Sequence, residues 1–99
     1  MAVTIYRNIS SITTTTLITK SSTTKGSIEK ISIANHDNSD LVIVKLYLDN
    51  GSGTTYTITE TTIPPLATLV LDDNLSFNSN AYHLKIDTST TAEITVIIK

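Results

Sequence analysis

Threonine, isoleucine and valine dominate the chain and constrain its fold more than any other feature. They account for 38 of the 99 residues (19 Thr, 14 Ile and 5 Val), in short runs from Val3 to Ile98. Side chains branched at Cβ are stiff at χ1 and suit a pleated, half-buried surface. The composition therefore predicts strands throughout.

Alternation places the clearest strand at residues 41–49, where Val42, Val44, Leu46 and Leu48 share one face. The segment NGSG at 50–53 supplies residues that tolerate positive φ, as a hairpin turn requires. TTYTITET at 54–61 is then the return strand, which ends at Ile63-Pro64-Pro65 because proline cannot donate to a ladder. These segments predict an antiparallel hairpin in the middle of the chain.

Similar patterns predict further strands at residues 3–9, 10–20, 27–35, 66–73, 81–88 and 92–99. A change of parity between Ile28 and Ile31 suggests a bulge in the strand at 27–35. Residues 21–26 read as a loop, and 74–80 as a connection with one turn of 3₁₀ helix as an alternative, in which Leu75 and Phe77 plug the core. We expect one all-β domain over 1–99, a jelly-roll-like antiparallel β-sandwich of about seven or eight strands, with a closed barrel as the alternative. Residues 1–24 form a Thr-rich N-terminal arm or edge strands.

Charge and composition argue against several kinds of partner. The seven basic residues are scattered and the net charge is −2, so no basic stripe suited to nucleic acid is present. No stretch approaches the roughly 20 apolar residues of a membrane span, and the first residues do not read as a signal peptide, so we expect synthesis in a cytoplasm. With no cysteine to form a disulfide, we expect stability to come from the core or from a homo-oligomer.

No residue pattern predicts catalysis, a cofactor or a metal. His36 lies in the polar turn HDNSD, and the segment 49–53 lacks the late glutamate of a calcium loop. Tyr47, Tyr56 and Tyr82 could stack on sugar rings, although an edge or interface role is more common for such tyrosines. The residues we predict at an interface between subunits are Thr14, Thr16, Tyr47, Tyr56, Tyr82 and His83.

Two segments, TKGSIEKISIAN at 24–35 and IPPLATLVLDDNLSFNSNAYHLKI at 63–86, carry a resemblance to a known family. Together with the LYLDNGS hairpin and the C-terminal ITVIIK, they resemble small virion proteins of tailed phages, notably phages of marine bacteria and cyanobacteria. The resemblance excludes the Thr-rich N-terminal part. It implies a jelly-roll-like sandwich that assembles symmetrically, often as a trimer, on a capsid, neck or tail.

The expected function is therefore that of a non-enzymatic virion structural protein, with a capsid decoration (cement) subunit favoured. A neck or tail accessory protein and a carbohydrate-binding host-attachment module are the alternatives. Major capsid or neck and tail proteins would be the partners, and the virion the location, after synthesis in the host cytoplasm.

Overall fold

Short strands make up the protein, as the β-branched composition predicts. A computed structural model describes residues 4–21, 27–72 and 74–99. Each strand follows a run in which apolar side chains alternate with polar ones. The described strands are β1 Ile5–Ile9, β2 Thr14–Ile18, β3 Ser27–Ile28, β4 Ile31–Asn35, β5 Val42–Asp49, β6 Thr55–Ile63, β7 Ala67–Leu71, β8 Leu75–Ser76, β9 His83–Thr88 and β10 Ile94–Ile98.

The eight longer strands form two antiparallel sheets of four. Sheet I has the order β1-β10-β4-β7 and sheet II the order β2-β9-β5-β6, while β3 and β8 form a separate two-stranded ladder. Residues 4–21, the described part of the Thr-rich region, contain β1 and β2, and each lies at the edge of its sheet. Val3 and residues 22–26 of the predicted loop fall outside the described residues.

The order of pairing is that of a jelly roll. Among the eight longer strands in chain order, the first pairs with the last, the second with the seventh, the third with the sixth and the fourth with the fifth. Such nested antiparallel pairs, rolled up so that alternate strands enter opposite sheets, define a double-sheet jelly roll. The predicted all-β jelly-roll-like sandwich is confirmed.

One apolar core lies between the two sheets. Ile33 and Val96 from sheet I, and Val44, Leu46 and Ile86 from sheet II, are fully buried. Burying one such side chain stabilises a fold by about 1.5–3 kcal/mol. The predicted inward face of β5 is confirmed for Val42, Val44 and Leu46, which have no exposed surface, whereas Leu48 is partly buried.

The parity change between Ile28 and Ile31 does not mark a bulge. Ile28 belongs to β3 and pairs with Leu75 of β8, whereas Ile31 begins β4 and pairs with β10 and β7. Leu75 therefore lies in a short strand rather than in a turn of 3₁₀ helix, and both Leu75 and Phe77 pack against the core as predicted.

Candidate functional site

Four of the six predicted interface residues lie on the outward face of sheet II. Residues directly opposite one another in a ladder have side chains on the same face. Thr16 pairs with Lys85, Lys85 with Tyr47, and His83 with Asp49. Asp87 pairs with both Thr14 and Lys45, and Lys45 also pairs with Glu60. This register gathers charges of both signs on one surface, which we call the charged face. Its members are Thr14, Thr16, Ile43, Lys45, Tyr47, Asp49, Thr55, Thr57, Glu60, Thr62, His83, Lys85 and Asp87.

Tyr47 is covered on this face. Only 8% of its surface is exposed, although its parity in β5 is that of outward residues. Its hydroxyl donates to Asp87 Oδ1 at 3.0 Å, and the Thr14 hydroxyl donates to the same oxygen at 2.6 Å. Burial, followed by the hydrogen bond to Asp87, raises the pKa of Tyr47. The ring is therefore part of a packed polar layer and does not offer a free aromatic surface.

Asp49 and Lys85 form an ion pair across β5 and β9. Lys85 Nζ lies 2.8 Å from Asp49 Oδ2, and the two side chains are 22% and 17% exposed. The hydrogen bond from Lys85, with a second one from the backbone N–H of Gly51, lowers the pKa of Asp49, and the same ion pair raises the pKa of Lys85. The Asp49 carboxylate thus bonds within the turn and across the β5–β9 ladder, in agreement with the interpretation of residues 49–53 as a hairpin turn.

His83 is held at the end of the sheet by a backbone group. Its Nδ1 accepts a hydrogen bond from the N–H of Lys20 at 3.0 Å, and Lys20 Nζ donates to the carbonyl of Asn50 at 2.9 Å. The contacts join the end of β2 to the β5–β6 hairpin. We therefore assign His83 a structural role at this corner.

Tyr56 and Tyr82 form a separate pair. Tyr56 lies opposite Leu48 in the ladder, on the side of β6 that faces away from the charged face. Its ring meets that of Tyr82 edge to face, with centroids 5.8 Å apart and an interplanar angle of 76°. Tyr56 is 56% exposed and Tyr82 is half-buried. The structure thus divides the six predicted residues into a polar group of four and an aromatic pair.

A polar cluster that sequence reasoning did not assemble surrounds His36. The imidazole Nδ1 lies 3.6 Å from Glu93 Oε2, and Nε2 lies 3.2 Å from the Thr95 hydroxyl. That hydroxyl donates its proton to Asn8 Oδ1 at 2.8 Å, and the His36 and Glu93 side chains are 51% and 63% exposed. A solvated network in which the hydroxyl proton is already bonded elsewhere is a poor nucleophile–base pair. Only the register of β10 against β1 and β4 brings these residues together.

No group of three or more His, Asp or Glu side chains within residues 4–21, 27–72 and 74–99 could hold a metal ion. Over the same residues, no helix has the length and apolar character needed to cross a membrane.

An apolar cleft opens between the edges of the two sheets. Its volume is about 270 Å³, and it lies near the β3–β8 ladder. Five of its six lining residues are aliphatic, and the sixth is a threonine. The lining residues are Ile28, Ile31, Ile58, Thr59, Leu71 and Leu75.

The outward face of sheet I differs from that of sheet II. Two complete rows cross it, Tyr6–Ile97–Ser32–Val70 and Asn8–Thr95–Ala34–Thr68. None of these eight side chains is charged, and Tyr6 and Val70 are 68% and 44% exposed. We call this surface the neutral face.

Leu66 lies at one corner of the neutral face, immediately before β7. It occupies the third position of a turn in which the Ala67 N–H bonds to the Pro64 carbonyl at 3.3 Å, and its φ is +63°. Glycine or asparagine is the usual residue at such a position, because a larger side chain is strained at positive φ. Leu66 is nevertheless 70% exposed, so burial in this chain does not compensate for the strain.

The class of protein that these observations define is an all-β jelly-roll sandwich with one charged and one neutral outer face. Compared with protein-family models and with curated proteins, the chain matches none.

Proposed function

We propose that the protein is a non-enzymatic structural subunit of a tailed-phage particle, most specifically a capsid decoration (cement) subunit. The observation that carries the proposal is the outward face of sheet I, in which two complete rows of side chains are uncharged and Tyr6 and Val70 are exposed. Apolar patches rimmed by polar groups are typical of protein interaction sites. The resemblance of residues 24–35 and 63–86 to small virion proteins supports the same function.

Docking at several equivalent sites would be the mechanism. A small subunit makes a weak contact, but a symmetric homo-oligomer, for which the resemblance favours a trimer, engages several copies of its target at once. The gain in effective concentration stabilises the particle without new chemistry. The partners would be the major capsid protein or, in the alternative, neck and tail proteins.

Localisation in intact particles tests the proposal. We expect mass spectrometry of purified particles to detect the chain, and antibody labelling in electron microscopy to place repeated copies over the capsid. Labelling confined to the neck or tail would favour the alternative position. Particles that lack the chain would contradict a structural role.

The Tyr56–Tyr82 pair favours a second candidate, a carbohydrate-binding host-attachment module. Two aromatic rings at the exposed end of a sandwich can pack against sugar rings. If this candidate is correct, Tyr56→Ala and Tyr82→Ala abolish binding on a glycan array, whereas Tyr47→Phe, at the covered tyrosine, leaves binding unchanged. An unmodified chain that binds no glycan would eliminate the candidate.

A further inference from the structure

The neutral face is bounded by charge at both ends of its strands. The outward positions of β10 and β4 continue, two residues further along the chain, just beyond the ends of the strands. They are occupied by Glu93 and His36 at one end and by Lys99 and Lys30 at the other. The cavities on this surface confirm the placement: one is lined by His36, Glu93 and Thr95, and another by Lys30, Ser32, Ile97 and Lys99. The face therefore has an acidic end and a basic end, with uncharged rows between them.

The two ends of β10 are complementary to each other, because Glu93 lies at one end and Lys99 at the other. In a second copy turned by a two-fold axis that lies in the contact plane and runs across the strands, each strand meets its own symmetry mate in the opposite direction. Glu93 of one copy then lies over Lys99 of the other, while the uncharged rows meet in the middle. Lys30 lies opposite His36, and Asp72, at the lysine end of β7, lies opposite the Leu66 corner. The roughly 30° angle between packed sheets shifts these pairs laterally but keeps acidic end over basic end.

We propose that the neutral face is a self-association surface, through which two copies of this chain pack sheet I against sheet I in this antiparallel arrangement. The inference rests on the proposed self-assembly, names its surface and gives it a two-fold axis in place of the trimer that the resemblance favours. A two-fold axis parallel to the strands would instead place β10 over β4 of the other copy, so that Glu93 meets His36 and Lys99 meets Lys30, and the two lysines in contact are unfavourable. The charged face of sheet II offers no comparable surface, because its outward rows carry charges that would have to be desolvated.

The area of the neutral face determines how strongly we expect two copies to associate. Four strands about 4.8 Å apart, with outward rows about 6.7 Å apart along them, cover about 400–500 Å² in projection. Stable complexes bury about 800 Å² of each partner. We therefore expect weak, concentration-dependent dimers, which form readily where copies are held close together.

Charge exchange tests the arrangement. The two-fold axis repeats each pair, so one substitution changes two contacts in the dimer. We expect Glu93→Lys and Lys99→Glu each to weaken dimerisation at least about tenfold in sedimentation equilibrium. The double variant E93K/K99E recovers the dimer. An equimolar mixture of the two single variants forms a heterodimer, because each lysine again meets a glutamate.

Glu60→Lys is the matched control, since it makes the same charge change on sheet II and leaves the dimer intact. Thermal melts establish that each variant is folded. A wild-type chain that stays monomeric at every concentration overturns the inference, as does a double variant that is folded but monomeric. A trimer also overturns it while leaving the particle proposal standing. The particle proposal fails separately, if purified particles lack the chain.

Discussion

On the charged face, Asp49 and Lys85 each shift the pKa of the other toward its charged form. Asp49 accepts from Lys85 and from the N–H of Gly51, so its ionised form is favoured and its pKa is lowered. The pKa of Lys85 is raised by the same ion pair. For a carboxyl with a lowered folded-state pKa, stabilisation is complete above its ordinary value near 3.8 and is lost as the pH falls through the lowered value. For the ammonium, stabilisation is complete below about 10.5 and is lost as the pH rises through the raised value.

Asp49→Asn tests this coupling by pH. We expect the variant to be less stable than the wild type by a constant free energy of unfolding between about pH 5 and pH 9. The difference shrinks as the pH falls below the ordinary carboxyl value, because Asp49 of the unfolded wild type then binds a proton whereas Asp49 of the folded state, with its lowered pKa, remains ionised until the pH passes the lowered value. Urea unfolding across this pH range measures both curves. Asp72→Asn, at an exposed carboxylate, serves as the control, and a difference that persisted unchanged into strong acid would contradict the assignment.

At the scale of strands, a buried amide fastens the end of β4 to the opposite sheet. Asn35 is 1% exposed, and its Nδ2 donates to the carbonyls of Asp40 and Ile63 at 2.9 and 3.1 Å. Its Oδ1 accepts from the Asp37 N–H at 3.1 Å. A single side chain thus joins β4, the following turn and the end of β6. Fully satisfied buried polar groups of this kind specify one arrangement of the strands around them.

Asn35→Ala is expected to lower the free energy of unfolding by about 1–3 kcal/mol, because it leaves two carbonyl groups and one N–H without a hydrogen-bond partner. Chemical denaturation measures the change. Asn38→Ala, at an exposed asparagine of the same turn, is expected to change stability by no more than about 0.5 kcal/mol. Equal effects of the two substitutions would show that the buried hydrogen bonds contribute nothing.

Strand positions were largely predictable because they depend on local alternation. The runs containing Val42 to Leu46 and Ile94 to Ile98 alternate cleanly, and both bury the predicted side chains. Strand partners depend on residues far apart in the chain, and no local pattern encodes them. The separation of Ile28 from Ile31 into different ladders, and the covering of Tyr47 by Asp87 and Thr14, both follow from such distant pairing.

The same limit applies to surfaces. Tyr6, Ile97, Ser32 and Val70 are ordinary outward residues of four separate strands, and only the register aligns them in one row. Sequence reasoning predicted an interface from two threonines, three tyrosines and one histidine, and the structure gathers four of these six residues on the charged face. That these residues contact another subunit remains a prediction.

At the scale of the whole molecule, the two outer faces differ in charge, and the proposal gives association to the neutral face alone. The charged face carries alternating signs that favour hydration, whereas the neutral face exposes Tyr6, Val70 and the strained Leu66. Residues kept in an unfavourable backbone conformation persist where the surrounding structure or a function requires them. For Leu66 we infer a functional reason, since it borders the proposed contact between copies.

Leu66→Gly separates folding from association. Glycine adopts positive φ without strain, so we expect the free energy of unfolding to rise by about 0.5–1 kcal/mol. We expect dimerisation to weaken, because the exposed side chain at the corner of the face is lost. Thermal unfolding and sedimentation equilibrium on the same sample measure the two effects. A loss of stability, or a gain in self-association, would contradict this view of Leu66.

The pairing of β1 with β10 also governs when the molecule can fold. Sheet I places Ile5 beside Ile98, so nearly the whole chain must leave the ribosome before this ladder can close. In sheet II, the early strand β2 can pair only once β9, near the end of the chain, has been made. Neither sheet can be completed during most of translation, and folding dominated by such distant pairs takes roughly milliseconds to seconds. Newly made chains therefore pass through a period in which the threonine-rich β2 lacks its partner β9, and we expect its hydroxyl groups to limit aggregation, because aggregation-prone segments combine high β-propensity with high hydrophobicity.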